Sequence, residues 1–111
     1  MEILFATNKL KKTFNSENEL VRVYGMLAQK IKLRMNVLRN APNLAAVPIT
    51  PPDRCHGLIA DRAGQFAVDL SHPNRLVFKP SENPPPRNKD GDIDKEKVIS
   101  ITIIEVVNYH D

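Results

Sequence analysis

The clearest periodicity in the chain is a row of apolar residues spaced three or four positions apart. Its members fall on one face of a helix: Leu20, Tyr24, Leu27, Ile31, Met35 and Leu38. The preceding Ser16-Glu17-Asn18-Glu19 has the form of a capping box, in which the Ser16 hydroxyl accepts from the Glu19 amide and the Glu19 carboxylate reaches back. The pattern predicts one amphipathic helix of about six turns that ends at Asn40, before Pro42.

Strand-like patterns lie on both sides of this helix. Glu2–Ala6 is a short apolar run followed by a turn and a helical start at 7–12. Phe66–Leu70 and Arg75–Lys79 are joined by four residues and predict a hairpin. Val98–Val107 is almost continuously apolar, which predicts a central strand covered on both faces. The order β-α-α-β-β-β favours an α+β fold with an antiparallel sheet.

Two proline-rich stretches separate these elements. Residues 41–53 contain four prolines and predict a stiff, irregular connection. Residues 80–95, "PSENPPPRNKDGDIDK", have few apolar side chains and predict an exposed loop inserted between two sheet strands. With 111 residues in all, the chain is expected to form one domain over 1–111.

The composition is that of an ordinary globular protein, with 41% hydrophobic and 26% charged residues. A single cysteine, Cys55, excludes an internal disulfide and a zinc site built from several cysteines. Neither a transmembrane run nor a signal-peptide pattern is present. We therefore expect a reduced, cytoplasmic protein that needs no metal and no cofactor.

The positive charge is concentrated near the start of the chain. Residues 1–40 carry eight basic and three acidic side chains, a net charge of +5, whereas residues 41–111 carry a net charge of −2. Such asymmetry favours contact with a polyanion, most commonly nucleic acid. The candidate phosphate contacts in this region are Lys9, Lys12, Lys30 and Arg34. The alternative is a solvated helix face with no ligand.

Three segments resemble, in order and spacing, the HigB-type toxins of the RelE/ParE superfamily of bacterial type II toxin–antitoxin systems. They are "RCHGL" with "ADRAGQFAVDL", then "NRLVFKP", and finally "IEVVNYH". The family shows an Arg-x-His-x-Leu segment, a Gly-Gln-aromatic strand, an Arg-hydrophobic-Phe strand and a terminal Asp-Tyr-His. The resemblance covers nearly the whole chain except the 80–95 loop, which resembles a branch sometimes named killer suppression proteins. It implies a RelE-like, microbial-RNase-like α+β fold, with a curved antiparallel sheet and two N-terminal helices packed on one side.

The resemblance also implies a function and partners. Its members cut mRNA in the ribosomal A site and are neutralised by a helix-turn-helix antitoxin of the HigA type, through which the complex contacts operator DNA. The implied catalytic residues are His56, Tyr109 and His110. Asn108 stands where the family has an acidic residue, and an amide can orient a partner but cannot take a proton.

The residue types fit RNA cleavage on chemical grounds as well. Without a metal, the 2′-hydroxyl attacks the adjacent phosphate, which requires a base, an acid and a cation on the phosphate. Two imidazoles, His56 and His110, can serve as base and acid at neutral pH. Arg62 and Arg75 can hold phosphate oxygens, and the Tyr109 ring can stack on a base.

Each candidate has a structural alternative. His56 is equally compatible with a packed or capping role, and Tyr109-His110 with a surface tail. Arg75 can pair with Asp69 across the hairpin, worth about 0.2–1 kcal/mol.

Three alternatives concern function. Cys55 as a thiol nucleophile has no acyl-transfer arrangement around it. A non-catalytic or gyrase-directed relative of the superfamily is the second alternative, favoured by Asn108. The third is a simple nucleic-acid-binding module that uses the basic N-terminal region without cleavage.

Overall fold

The computed structural model describes residues 1–108 as five strands and three α-helices around one sheet. In chain order these are β1 (Glu2–Phe5), α1 (Asn8–Phe14), α2 (Glu17–Tyr24), α3 (Ala28–Asn40), β2 (His56–Gly57), β3 (Phe66–Asp69), β4 (Asn74–Pro80) and β5 (Ser100–Asn108). The predicted hairpin is present as β3 and β4, and the predicted α+β class is confirmed. The two-residue strand β2 was not predicted as a strand.

The predicted six-turn helix is wrong in one respect, because the chain breaks at Gly25. Gly25 has φ +56°, which other residues rarely adopt, and a single 3-10 turn over Gly25–Leu27 separates α2 from α3. The two helices fold back on each other, since Glu17 at the start of α2 forms an ion pair with Lys32 in α3. The apolar row still points inward, because Leu20, Ile31 and Leu38 are all buried.

The capping box is half formed. The Ser16 hydroxyl accepts from the Glu19 amide at 3.2 Å, as predicted. The Glu19 carboxylate, however, pairs with Arg22 one turn further along the helix, at 2.7 Å, instead of reaching back to the Ser16 amide. A guanidinium within reach is a stronger partner for a carboxylate than a single backbone amide.

The sheet has the strand order β1-β5-β4-β3-β2 and is mixed. The prediction of a wholly antiparallel sheet is wrong for one pair, because β1 runs parallel to β5, with Ile3 opposite Ile101. Parallel pairing requires a long crossover between the two strands, and here almost the whole chain lies between them. All other neighbouring strands are antiparallel.

All three helices pack on one face of the sheet and form the core with it. Strand residues that point to this face alternate along the sequence, such as Leu76 and Phe78 in β4. They pack with the buried side chains of the helices, and the fully buried large residues include Phe78, Ile31, Leu38, Leu76, Ile101 and Ile103. Among residues 1–108, no helix packs on the opposite face of the sheet, and we call it the open face.

Strand β5 lies between β1 and β4 but is not covered on both faces as predicted. Its apolar run is explained by a bulge: Val77 pairs with Glu105 and Phe78 with Ile103, so Ile104 has no partner in β4. The alternation changes phase at that residue, which places apolar side chains at both odd and even positions. Thr102 and Val107 are only half-buried on the open face.

The proline-rich segment between β4 and β5 is more ordered than a simple exposed loop. Arg87 and Ile93 form an isolated antiparallel bridge, and the Asn88 side chain accepts from the amides of Asp90 and Asp92. Ile93 packs against the core. Over residues 1–108, no helix has the length and apolarity needed to cross a membrane.

Candidate active site

The open face concentrates the polar side chains that the sheet presents to solvent. Strand alternation places Asp69 of β3, Arg75 of β4 and Glu105 of β5 on this face, because their neighbours in sequence point into the core. Two apolar residues, Ala67 and Val77, lie between them with 0% exposure. The open face therefore has a buried apolar floor with charged groups around it.

Arg62 reaches across this floor from the connection between β2 and β3. Its guanidinium forms an ion pair with Glu105 on β5 and donates to the Gln65 side chain at 2.8 Å. The Arg62 side chain is 32% exposed, so one side of the guanidinium faces solvent. Arg62, a predicted phosphate contact, thus lies on the open face, where its charge is already paired with the Glu105 carboxylate.

A second group of charges surrounds Asp69. The Asp69 carboxylate accepts two hydrogen bonds from Arg54, at 2.6 and 3.0 Å, and forms an ion pair with Arg75 at 3.5 Å. The predicted pairing of Asp69 with Arg75 across the hairpin is confirmed. The two hydrogen bonds that Arg54 donates to Asp69 raise the pKa of Arg54 above its ordinary value. Two cationic side chains are thereby held at one carboxylate, at the end of the sheet where β5 finishes.

His56 lies on β2, opposite Ala67, and its ring is fixed by the preceding chain. The Nδ1 atom is 2.7 Å from the Arg54 carbonyl oxygen. A carbonyl can only accept, so Nδ1 carries the proton and, in the neutral ring, Nε2 holds a free lone pair. The half-buried ring is therefore set up as a proton acceptor at Nε2.

The C-terminal candidates are described only in part. Asn108 is exposed, ends β5 and lies opposite Asn74. Tyr109 and His110 lie outside the described residues, so their predicted roles stay predictions. His56 and Asn108 belong to one sheet with β3 and β4 between their strands, a lateral separation of roughly 14 Å for three strand spacings.

The basic N-terminal residues do not join this site. Lys9, Lys12 and Lys30 are exposed on the helices, which cover the other face of the sheet. The expected exposure of Arg34 is wrong, because this side chain is buried with 5% exposure. It donates to the Asp69 carbonyl at 2.6 Å and approaches Asp53 at 3.7 Å, which satisfies its charge inside the protein.

Cys55 has the environment of a structural thiol. It is 5% exposed, and burial raises its pKa to about 11, with Lys95 acting in the opposite direction. A thiolate nucleophile requires a lowered pKa, so this position does not support nucleophilic chemistry.

The sequence reasoning missed three residues that shape the site. Arg54 belongs to the Arg-x-His segment and Gln65 precedes the predicted strand, but neither was assigned a role. Glu105 is the only charged residue within the apolar run 98–107, and an isolated charge in such a strand is a usable signal. Across residues 1–108, no group of three or more His, Cys, Asp or Glu side chains is arranged to hold a metal ion.

The fold has a known counterpart among solved structures. It is similar to a YoeB/ParE toxin from Agrobacterium tumefaciens, with a TM-score of 0.54 over 99% of this chain and 100% of the other. The chain has the fold of this toxin. At 14% identity the likeness concerns the fold alone. No protein-family model matches the chain, and no curated protein matches it in sequence.

Proposed function

We propose that the chain is the toxin of a type II toxin–antitoxin system and acts as a metal-independent endoribonuclease on mRNA in the ribosomal A site. The observation that carries the proposal is the open face. There the Nε2 lone pair of His56 lies on the same side of the sheet as Arg62 and as the arginines held by Asp69. The fold of a toxin and the terminal Tyr109-His110 add to it. A helix-turn-helix antitoxin of the HigA type would be its partner, and the antitoxin would carry the complex to operator DNA.

The layout of the open face suits the geometry of this reaction. In the attack of a 2′-oxygen on phosphorus, the base and the acid act on opposite sides of the phosphate. A phosphate above β3 and β4 would have His56 on the β2 side and the end of β5 on the other. His56 would take the proton of the 2′-hydroxyl at Nε2, and His110 would protonate the leaving 5′-oxygen.

The arginines of the open face would stabilise the negative charge that develops on the phosphate. Arg62 and Arg75 now contact Glu105 and Asp69, so an RNA phosphate would compete with these carboxylates or share the guanidinium with them. Tyr109 would stack on an unpaired base, worth about 1–3 kcal/mol. Lys9, Lys12 and Lys30, on the helix side, would contact more distant RNA of the ribosome.

One further cleft extends from the site. It has a volume of about 560 Å³ and lies between the β2–β3 connection and the proline-rich segment, with Gln65, Arg87 and Lys95 among its lining residues. It provides room for nucleotides that flank the cleaved bond.

A non-catalytic or gyrase-directed relative is the second candidate. Two observations favour it: Asn108 cannot take a proton, and the three guanidinium groups of Arg54, Arg62 and Arg75 already have carboxylate partners. A gyrase-directed protein would arrest growth without cutting mRNA, whereas an inactivated relative would do neither.

Induction in growing bacteria, with new mRNA 5′ ends mapped across the transcriptome, tests the proposal. The wild type is compared with His56→Ala, Arg62→Ala and His110→Ala, and with Lys97→Ala as an exposed control outside the site. We expect codon-phased cuts that the control retains and the three variants lose. Growth arrest without cuts would support the second candidate, and the absence of any arrest would exclude a toxin.

A further inference from the structure

We propose that Arg54 is a positioning residue for His56, and that Asp69 holds Arg54 in place to serve this role. The proposal rests on the proposed function in one respect, since it assigns His56 the part of a base. Its structural content, the choice of the proton-bearing ring nitrogen, is independent of any activity.

The first step is the strained backbone of Arg54. Its φ is +45°, in the left-handed region that a non-glycine residue occupies only when its surroundings enforce it. The carbonyl oxygen of this same residue accepts from the His56 Nδ1 at 2.7 Å. The unusual backbone and the contact that fixes the tautomer therefore belong to one residue.

The second step concerns the contacts that enforce this conformation. The Arg54 amide donates to the Thr50 carbonyl at 2.9 Å, and the Cys55 amide donates to the Pro48 carbonyl at 2.9 Å. The Arg54 side chain is held at Asp69 by two parallel hydrogen bonds, a geometry that fixes the guanidinium plane. The residue is thus held from both its backbone and its side chain.

The third step is that Asp69 is itself immobilised. Its amide donates to the Asp53 carbonyl at 2.8 Å, and its own carbonyl accepts from the buried Arg34 at 2.6 Å. Asp69 lies two residues from Ala67, the partner of His56 in the sheet. A contiguous chain of contacts therefore runs from Arg75 through Asp69 and Arg54 to the His56 ring.

The chemical consequence is a single orientation of the base. With Nδ1 protonated by contact with the carbonyl, only Nε2 can accept a proton from a 2′-hydroxyl. Loss of the Arg54–Asp69 contact would free the peptide unit, and the ring would populate both tautomers. When only part of the His56 population has the correct tautomer, the base-catalysed step is slower although the binding of RNA is not weakened.

Nitrogen-15 NMR of the three histidine rings, recorded at an alkaline pH where imidazole is neutral, tests the proposal. In the wild type we expect His56 to be wholly the Nδ1–H tautomer, and Lys97→Ala, an exposed substitution outside the site, serves as the control variant. In Arg54→Ala the His56 signals should shift toward a mixture, whereas in Lys97→Ala they should not. Asp69→Asn, which keeps the size of the side chain, should give an intermediate shift, so a folding failure of Arg54→Ala would not end the test.

Cleavage kinetics give the second readout. We expect Arg54→Ala to lower kcat with little change in KM, by less than the loss in His56→Ala and within the roughly 10²–10⁴-fold that a general base supplies. Arg54→Lys keeps the charge but not the paired bonds and should restore part of the loss. A folded Arg54→Ala that keeps His56 wholly as Nδ1–H would overturn the proposal. A tautomer shift in a protein that cuts no RNA would instead support the positioning role and refute the proposed function.

Discussion

The two faces of the sheet share the same strands but are built on different principles. On the helix side, Phe78 and Leu76 are fully buried among apolar side chains. On the open face, Val77 is just as inaccessible to solvent, yet the neighbouring side chains on that face are Glu105 and the arginines. Adjacent residues of one strand therefore pack the core on one side and support charged groups on the other. Charge on the open face is placed by a rigid apolar layer directly behind it.

Removing the Phe78 ring should have the largest effect, because it leaves a cavity on the helix side. We expect Phe78→Ala to lower the free energy of unfolding by about 3–5 kcal/mol, measured by urea denaturation. Its neighbour Lys79 is exposed on the open face, so Lys79→Ala should change that value by no more than about 0.5 kcal/mol. Similar losses in the two variants would show that the faces do not differ as described.

Arg34 links the two faces and offers the next test. It extends from α3 to the backbone of Asp69 and balances the buried Asp53. Arg34→Met should destabilise the protein by about 3–5 kcal/mol, because Asp53 is left as an uncompensated charge. Adding Asp53→Asn should recover part of the loss in the same urea experiment. Additive losses in the double variant would contradict a direct coupling of the two residues.

Glu105 should matter for binding far more than for stability. Glu105→Gln removes the charge that holds Arg62. The Arg62 side chain is 32% exposed and the Glu105 side chain 44% exposed, so the free energy of unfolding should change by less than about 1 kcal/mol. The released guanidinium should tighten binding of a short single-stranded RNA severalfold, measured by fluorescence anisotropy at two salt concentrations. Glu96→Gln, in an exposed 3-10 turn, is the charge-matched control. Equal affinities for all three proteins would place RNA elsewhere.

The smallest expected effect concerns Cys55, beside the site. Because burial raises its pKa to about 11, the folded thiol should react with iodoacetamide at pH 8 much more slowly than the thiol of the urea-unfolded chain, as followed by mass spectrometry. The folded state also keeps this proton to higher pH than the unfolded chain. The free energy of unfolding should therefore fall as the pH rises from the ordinary value of 9.0 toward 11. Rapid labelling of the folded protein would show that this edge of the core is open.

Local patterns predicted the elements well and their relations less well. The hairpin followed from alternation at Phe66–Leu70 and Arg75–Lys79, and the pairing of Asp69 with Arg75 followed from the register of that hairpin. The break at Gly25 was missed because the apolar row continues through it with correct spacing, and one glycine inside a helical pattern does not by itself end a helix. The parallel pairing of β1 with β5 depends on contacts between distant residues, which no local pattern contains.

The site shows the same division. The candidates His56, Arg62 and Arg75 all lie on or over the open face, and their catalytic and phosphate-binding roles stay predictions. Arg34 was assigned to the surface by composition, although a buried arginine can be satisfied by carbonyl groups that only the fold brings near. Arg54 was missed because its role lies in its backbone conformation and not in its side-chain type.

The bulge at Ile104 has a consequence for how this chain can change in length. Deleting one residue from a strand normally turns every later side chain to the other face. In β5, however, Ile104 is the extra residue, so its deletion would leave Ile103 opposite Phe78 and Glu105 opposite Val77 in a regular ladder. The strand can lose this one position with its pattern of inward and outward side chains preserved. Because residues 103 and 104 are both isoleucine, removing either one gives the same sequence and the same ladder.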